Sequence, residues 1–239
     1  MYPNSQHNDA DIVLDGSTSY GGYTLQQRTG RELGGRQSRL YLAWKRSTDV
    51  LLALGGLLLL SPFLLVIALA IKLEDPKGSV FFCQTRVGKN EKLFRMYKFR
   101  SMVSNAEEQL EQLLAQNEIN GAMFKMKEDP RITAIGKWIR KTSIDELPQL
   151  WNVVRGDMSL VGPRPALPRE VEQYSSYDKQ RLAVTPGCTG LWQVSGRNGL
   201  SFEEMLALDL NYIEKRGLWL DLKVILRTVK VMVFPNSAY

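Results

Sequence analysis

One run dominates the hydrophobic pattern of this chain. From Val50 to Ile71 (VLLALGGLLLLSPFLLVIALAI) no residue is charged and nearly all are apolar. An uncharged run of about 18 or more residues is a candidate membrane helix. As a helix it would extend about 33 Å, against a hydrocarbon core of about 30 Å. Two features complicate a simple span. Pro62, following Ser61, lacks the N–H that would bond the Leu58 carbonyl, and it bends a helix. Both flanks are also basic, with Arg31, Arg36, Arg39, Lys45 and Arg46 before the run and Lys72, Lys77, Arg86 and Lys89 after it. Lys and Arg accumulate on the cytoplasmic side of membranes, so like flanks favour a re-entrant hairpin with both ends on one face. Pro-kinked helices that span are common, and the residues alone leave both readings open.

Around this run the pattern is more ordinary. Residues 1–38 are polar and rich in Gly, Ser, Gln and Asn, the composition of a disordered tail. The apolar run begins too late for a signal peptide, so it is expected to be retained. Leu40–Asp49 reads as a separate interfacial lead-in carrying Tyr41 and Trp44. Pro76-Lys77-Gly78 marks a turn, and Ser79–Gln84 and Leu93–Arg100 read as a hairpin around Gly88-Lys89-Asn90. Arg95, Lys98 and Arg100 on its second strand read first as a solvated face. Ser104-Asn105-Ala106-Glu107 fits a capping box, and Leu110, Leu113 and Leu114 extend a helix to Gln116. Asn117–Pro130 is expected to be a loop over the site or a mobile connection. Thr133–Lys141 predicts a short amphipathic helix, suited equally to a membrane interface or an ordinary surface. Phe202–Arg216 and Trp219–Val233 predict two more helices. In the second, Lys223, Arg227 and Lys230 oppose Trp219, Leu222, Ile225, Leu226 and Val229. Under an anionic leaflet each such cation contributes on the order of 1 kcal/mol, though a plain core helix is the simpler reading.

Composition then narrows the chemistry. With 239 residues, one domain beyond the membrane segment is expected, and the net charge of +6 favours an anionic partner. The single histidine, His7, lies in the polar tail, which excludes a histidine triad or a His-rich metal site in the folded part. Cys83 and Cys188 give neither a metal spacing nor a disulfide framework. No P-loop and no G-x-G-x-x-G occurs. Chemistry must therefore rest on carboxylates, Lys and Arg.

Those residues concentrate in RKTSIDELPQLWNVVRGDMSLVGPRP, Arg140 to Pro165. Ser143-x-x-Glu146 is formally a capping box, which would make Asp145 and Glu146 mere helix-start acids. A helix beginning at Ile144, however, would put Pro148 in its fifth position, where its ring and missing N–H both conflict with the ladder. The helix is therefore expected to start near Pro148, with Asp145 and Glu146 just outside it. Arg164 sits between Pro163 and Pro165 on stiff backbone after Gly162. Pro186–Gly190 and Gln193–Asn198 form a Gly-punctuated loop ending in Arg197-Asn198. Carboxylates with a divalent ion suit phosphate oxygens, and Arg forks bind phosphate bidentately.

Six segments, KRSTD, Ser61-Pro62 in its apolar setting, YKFRSM, TSIDELPQLWNVVRGDMSLVGPRP, PGCTGLWQVSGRN and WLDLKVIL, together resemble the bacterial sugar transferase family, the monotopic phosphoglycosyl transferases. The resemblance runs from about Leu40 to the C-terminus, with residues 1–38 outside it. It implies an α/β, mostly α, monotopic protein with a re-entrant membrane helix over about 45–72 broken at Ser61-Pro62, interfacial amphipathic helices and a small hairpin-containing globular part. It implies transfer of a hexose-1-phosphate, such as that of galactose or glucose, from a UDP-sugar to undecaprenyl phosphate with release of UMP. The setting would be the cytoplasmic face of the inner membrane, at the start of O-antigen, capsule or exopolysaccharide synthesis. By motif, Asp145 is the implied nucleophile, forming an aspartyl phosphosugar, and Glu146 its neighbour in binding Mg²⁺ or positioning the acceptor. Lys98, Arg140 and Arg164, with the Gly162-Pro163 turn, match positions near phosphates, and Arg197 one near the nucleotide. Membrane lipids are implied partners, nucleic acid is not, and a homodimer is left open. Within the enzyme class the alternative is direct displacement, with Asp145 as metal ligand or base. Outside it stand a non-catalytic membrane-tethered assembly protein, whose sign would be loss of the acidic pair, and a nucleic-acid binder, for which no recognition motif exists.

Overall fold

A computed structural model describes residues 38–106, 108–109, 126, 129–195 and 200–231, with backbone alone at 232–233, 19–20 and 23–24. The last two stretches, β1 (Ser19–Tyr20) and β2 (Tyr23–Thr24), pair antiparallel. The rest of the expected polar tail, the expected helix from Ser104 to Gln116 beyond its first turn, and most of the 117–130 loop lie outside the described residues.

The apolar run belongs to one helix, α1 (Arg39–Glu74), of 36 residues. The expected lead-in from Leu40 to Asp49 is thus continuous with the membrane segment, because Ser38 caps the helix there, its Oγ accepting from the Tyr41 N–H at 3.1 Å. Within α1, Pro62 cannot serve the Leu58 carbonyl, and the Ser61 hydroxyl donates to that same oxygen at 2.8 Å. The Ser-Pro pair therefore leaves no orphaned acceptor. Asp49, Ala53, Ile67 and Ile71 are buried, and their spacings of about one and four turns put them on a single stripe. The opposite side is bare and mostly leucine, with Leu58 and Leu59 exposed to 75% and 81%.

Both halves of α1 rest on the same body. Ala53 joins Met96, Val153 and Met158 in one apolar cluster, and Ile67 and Ile71 join Phe99 and Ile139 in another. Polar ties fix each end. Arg46 donates to the Val153 and Val154 carbonyls. At the other end Arg100 bonds the Asp75 carboxylate at 3.0 Å and the Asp75 carbonyl at 2.8 Å. Glu74 accepts the Ala134 and Ile135 N–H groups at 2.7 and 3.2 Å, capping the next helix.

β3 (Phe81–Val87) and β4 (Leu93–Phe99) form the expected hairpin, closed by Gly88 N–H to the Lys92 carbonyl at 2.8 Å. β3 runs three residues past the expected Gln84, since Thr85, Arg86 and Val87 continue to pair opposite Arg95, Phe94 and Leu93. The basic residues of β4 do not share a solvated face. Arg95 is exposed, whereas Arg100 is buried on Asp75 and Lys98 is half-buried against Glu146. α2 (Ala134–Lys141) has the expected bounds, with Thr133 as its cap. It buries Ile139 and exposes Trp138.

α3 (Gln149–Arg155) leads to β5 (Ser159–Val161), which pairs in parallel with β6 (Gly187–Thr189). This pair is absent from the sequence reading, as three-residue strands are too short to show a period. What permits it is glycine. A Cβ on Gly187 would lie 2.1 Å from the Gly162 nitrogen, and one on Gly190 would lie 2.5 Å from the Gly162 oxygen. α4 (Pro168–Val171), a 3₁₀ turn (Asp178–Ala183) and α5 (Leu191–Ser195) were likewise not foreseen. α6 (Phe202–Lys215) opens with a Ser201–Glu204 capping box and supplies Leu206, Leu208, Leu210, Tyr212 and Ile213 to the largest core cluster.

α7 (Leu218–Val233) overturns the core-helix reading of its apolar stripe and leaves the interfacial one. It buries Asp221 and Val224 and half-buries Ile225, while Trp219, Leu222, Leu226 and Val229 are exposed. The reason is polar. Asp221 receives Lys45 Nζ at 2.8 Å and the Tyr212 hydroxyl at 2.7 Å, which turns its side of α7 inward. Lys45 and Tyr212 also reach the Val161 carbonyl, at 3.1 and 2.9 Å, and the Ser159 hydroxyl lies 3.0 Å from it. Asp49 accepts from Ser159 Oγ at 2.7 Å and Leu160 N–H at 3.1 Å. The KRSTD segment thus pins the base of α1 to the strand that leads into Gly162-Pro163-Arg164.

Candidate active site

The acidic pair sits between two helices. Ser143 takes a left-handed conformation (φ 58°), rare for a residue with a Cβ, and breaks the chain direction after α2. Ile144–Glu146 then forms a single 3₁₀ turn before α3, so Asp145 and Glu146 lie just outside that helix, as expected. The capping-box alternative fails, since Ser143 makes no side-chain cap bond. Glu146 turns instead to Lys98 on β4, with Nζ 2.7 Å from Oε1, and Arg164 Nη1 stands 4.0 Å from the same oxygen.

Asn152 sets this register. Buried in α3, it accepts from Tyr97 N–H at 3.0 Å and donates to the Arg95 carbonyl at 2.7 Å, locking α3 to β4. Arg164 is held by backbone: Gly162 N–H donates to the Thr189 carbonyl at 2.9 Å, and Gly187 N–H to the Pro163 carbonyl at 2.8 Å. Arg140, exposed at the end of α2, contributes its charge to Asp145.

The two carboxyls are electrostatically distinct. Burial, then the adjacent Glu146 charge, push Asp145 up to about 6 against the opposing pull of Lys98 and Arg140. Burial also works to raise Glu146, but Lys98, Arg164 and Arg86 outweigh it and hold that group below the usual glutamate range. At neutral pH both are ionised. Glu146 is tied to cations, while Asp145 receives no side-chain hydrogen bond from the described residues. That leaves Asp145 the freer carboxylate of the two.

Beside the pair opens a small cleft, lined by Arg86, Glu146, Gln149, Arg164, Cys188 and Gln193 among others. The structure therefore brings together Asp145, Glu146, Lys98, Arg140 and Arg164, with Gly162 and Pro163 in the turn that holds Arg164. Arg197 lies outside the described residues. Ser61 and Pro62 stand on the exposed stretch of α1, away from this cluster. Arg86 and Gln149 were missed. Arg86 shares the Met96 and Lys98 face of the hairpin by strand alternation, and Gln149 follows Glu146 by three residues, so both signals were present in the spacing.

No group of three or more His, Cys, Asp or Glu side chains assembles among the described residues. The open donors are the Asp145 carboxylate and Glu146 Oε2, a pair that fits Mg²⁺, which takes one or two carboxylates and completes its shell with substrate phosphate and water.

The family described as bacterial sugar transferase matches residues 40–235. The chain belongs to that family. It is 49% identical over 199 residues to the galactosyl transferase CpsE of Streptococcus agalactiae, covering 83% of this chain and 44% of that protein. It is 44% identical over 216 residues to the undecaprenyl-phosphate galactose phosphotransferase of Salmonella typhimurium, covering 89% and 44% respectively. The chain thus spans under half the length of these relatives. Against the exopolysaccharide production protein ExoY of Sinorhizobium fredii it is 38% identical over 223 residues, 91% of this chain and 95% of that one.

Proposed function

We propose that this protein is a membrane-bound phosphoglycosyl transferase. It moves a hexose-1-phosphate, galactose or glucose being the leading choices, from a UDP-sugar to undecaprenyl phosphate, with release of UMP. The observation that carries the reading is the pairing of an open, half-buried Asp145 with a cation-bound Glu146 inside a ring of Lys98, Arg140 and Arg164.

In the first half-reaction an Asp145 oxygen attacks the sugar-bearing phosphorus. The bond from that phosphorus to the bridging oxygen breaks, and UMP leaves with the electron pair. Lys98 and Arg164 offset the charge of the approaching diphosphate, and Glu146 holds them in place. In the second, a phosphate oxygen of the lipid attacks the same phosphorus, the aspartyl bond breaks, and the carboxylate returns. No net proton is needed. Mg²⁺ bound by Asp145 and Glu146 would supply charge neutralisation at the phosphates. Since donor and acceptor occupy the site in turn, one small cleft serves both and the kinetics are ping-pong. Single displacement, with Asp145 as base, draws on its raised pKa. A phosphosugar trapped on Asp145 separates the two.

α1 is the anchor in this reading. Both its halves pack on one body, so a body confined to one side of the membrane keeps both ends there, and the bare leucines near Ser61-Pro62 enter the lipid. Re-entrance at the cytoplasmic face of the inner membrane brings Asp145 to a cytosolic UDP-sugar and an interfacial lipid phosphate together. The decisive assay is UMP release across a panel of UDP-sugars with the purified chain. Release with one hexose donor, abolished by Asp145→Asn, supports the proposal; full release by Asp145→Asn removes Asp145 from its role.

A further inference from the structure

Arg86 is 7% exposed, yet among the described residues it makes no ion pair. Its guanidinium is held by neutral acceptors only: Nε and Nη2 bond Gln84 Oε1 at 3.1 and 2.7 Å, and Nη1 bonds the Pro165 carbonyl at 3.1 Å. A guanidinium has five N–H donors, so two remain. The Pro165 bond ties Arg86 to the segment carrying Arg164, and the two cations line the same cleft. They repel: burial, then Arg164, lower the Arg86 pKa to about 10. The third polar wall is Gln149, 3% exposed, lining the cleft with no hydrogen-bond partner among the described residues. Arg86 thus keeps two donors, and Gln149 its whole amide, without a partner among the described residues, and both line the same cleft.

Charge points to the occupant. The cleft is lined by Arg86 and Arg164 against the carboxylate of Glu146, an excess of one positive charge, and Glu146 is itself paired with Lys98. A phosphate monoester near neutral pH carries about −1.5 to −2 charges and three acceptor oxygens. We propose that Arg86, Gln149 and Arg164 form a binding subsite for a terminal phosphate dianion beside Glu146. Given the reaction proposed above, on which this rests, that phosphate is either the one leaving with the nucleotide or the one arriving on the lipid. Arg86 is then a binding residue whose fork is pre-set by Gln84 and Pro165, and the Arg86–Arg164 repulsion is relieved when the phosphate arrives.

The test uses the full chain in nanodiscs, with UMP and a polyprenyl monophosphate as separate probes and thermal shift as the readout. Arg86→Gln is expected to weaken binding of at least one probe by about tenfold or more, the loss of a charge-assisted bond, with Arg86→Lys recovering part of it. Gln149→Met, which removes no charge and keeps the shape, is expected to weaken the same probe several-fold and stands in should Arg86→Gln fail to fold. Loss of UMP binding alone assigns the subsite to the donor; loss of lipid binding alone assigns it to the acceptor. Binding of both probes within twofold of wild type in Arg86→Gln and Gln149→Met, or no binding of either probe by wild type, overturns the proposal. Wild type that releases no UMP from any UDP-sugar, yet binds a probe through Arg86, would sink the proposed reaction and leave the subsite standing.

Discussion

Asp145 and Glu146 are chemically near-identical neighbours that the fold drives apart. The raised pKa of Asp145 means that the folded state holds its proton more tightly than the unfolded chain. Stability therefore falls as pH rises from about 4 towards 6, and above that window the ionised carboxylate is a standing cost. In metal-free protein Asp145→Asn is expected to be more stable than wild type at pH 7.5, and the advantage to vanish near pH 4; denaturation midpoints at the two pH values check it. Glu146 has the opposite sign. Its lowered pKa contributes stability that is present above the ordinary glutamate range and lost as pH falls through it. Glu146→Gln leaves Lys98 facing Arg164 without a carboxylate, and is expected to cost on the order of 1–2 kcal/mol at neutral pH. Titrating the Tm of the two variants against pH should give curves of opposite slope.

At the level of elements, the strong features were readable in the sequence: the apolar helix, the hairpin, the amphipathic α2, and the placing of the acidic pair just before α3. Each has a period, a turn or a proline conflict that one sequence displays. β5 and β6 have none. Their pairing depends on three glycines meeting across the fold, and only coordinates bring Gly162, Gly187 and Gly190 together. Arg86 was missed for a different reason: the expected strand stopped at Gln84, and although alternation carried past it places Arg86 on the Lys98 face, only burial shows that it is not solvated. Of the two readings of α7, the core helix fails because Asp221 turns its own side inward once Lys45 and Tyr212 reach it. Gly187→Ala, whose new Cβ would meet the backbone of Gly162 at 2.1 Å, is expected to cost about 2 kcal/mol or more and to displace Arg164. Urea unfolding reads the first effect and KM for the UDP-sugar the second. Lys45→Met removes a donor from both Asp221 and the Val161 carbonyl, and is expected to lower stability while loosening the same loop.

For the whole molecule, the arrangement is a single long helix laid along a small body, its free side apolar and mostly leucine and its two ends wired to that body. The geometry makes membrane seating and site construction one event, because KRSTD at the base of α1 holds the strand that aims Arg164. Single cysteines near Lys45 and near Lys77 should both be labelled from the cytosolic side in cells. Labelling of one end only from outside would make α1 a span. Covalent transfer through Asp145 would leave a trapped intermediate that mass spectrometry detects. Incubate the purified chain with the preferred UDP-sugar and no lipid acceptor, then map the peptides by mass. A hexose-phosphate adduct on Asp145, formed with stoichiometric UMP, absent in Asp145→Asn and discharged by undecaprenyl phosphate, is the predicted result. UMP release that occurs only when the lipid is present, with no adduct at any stage, would contradict it.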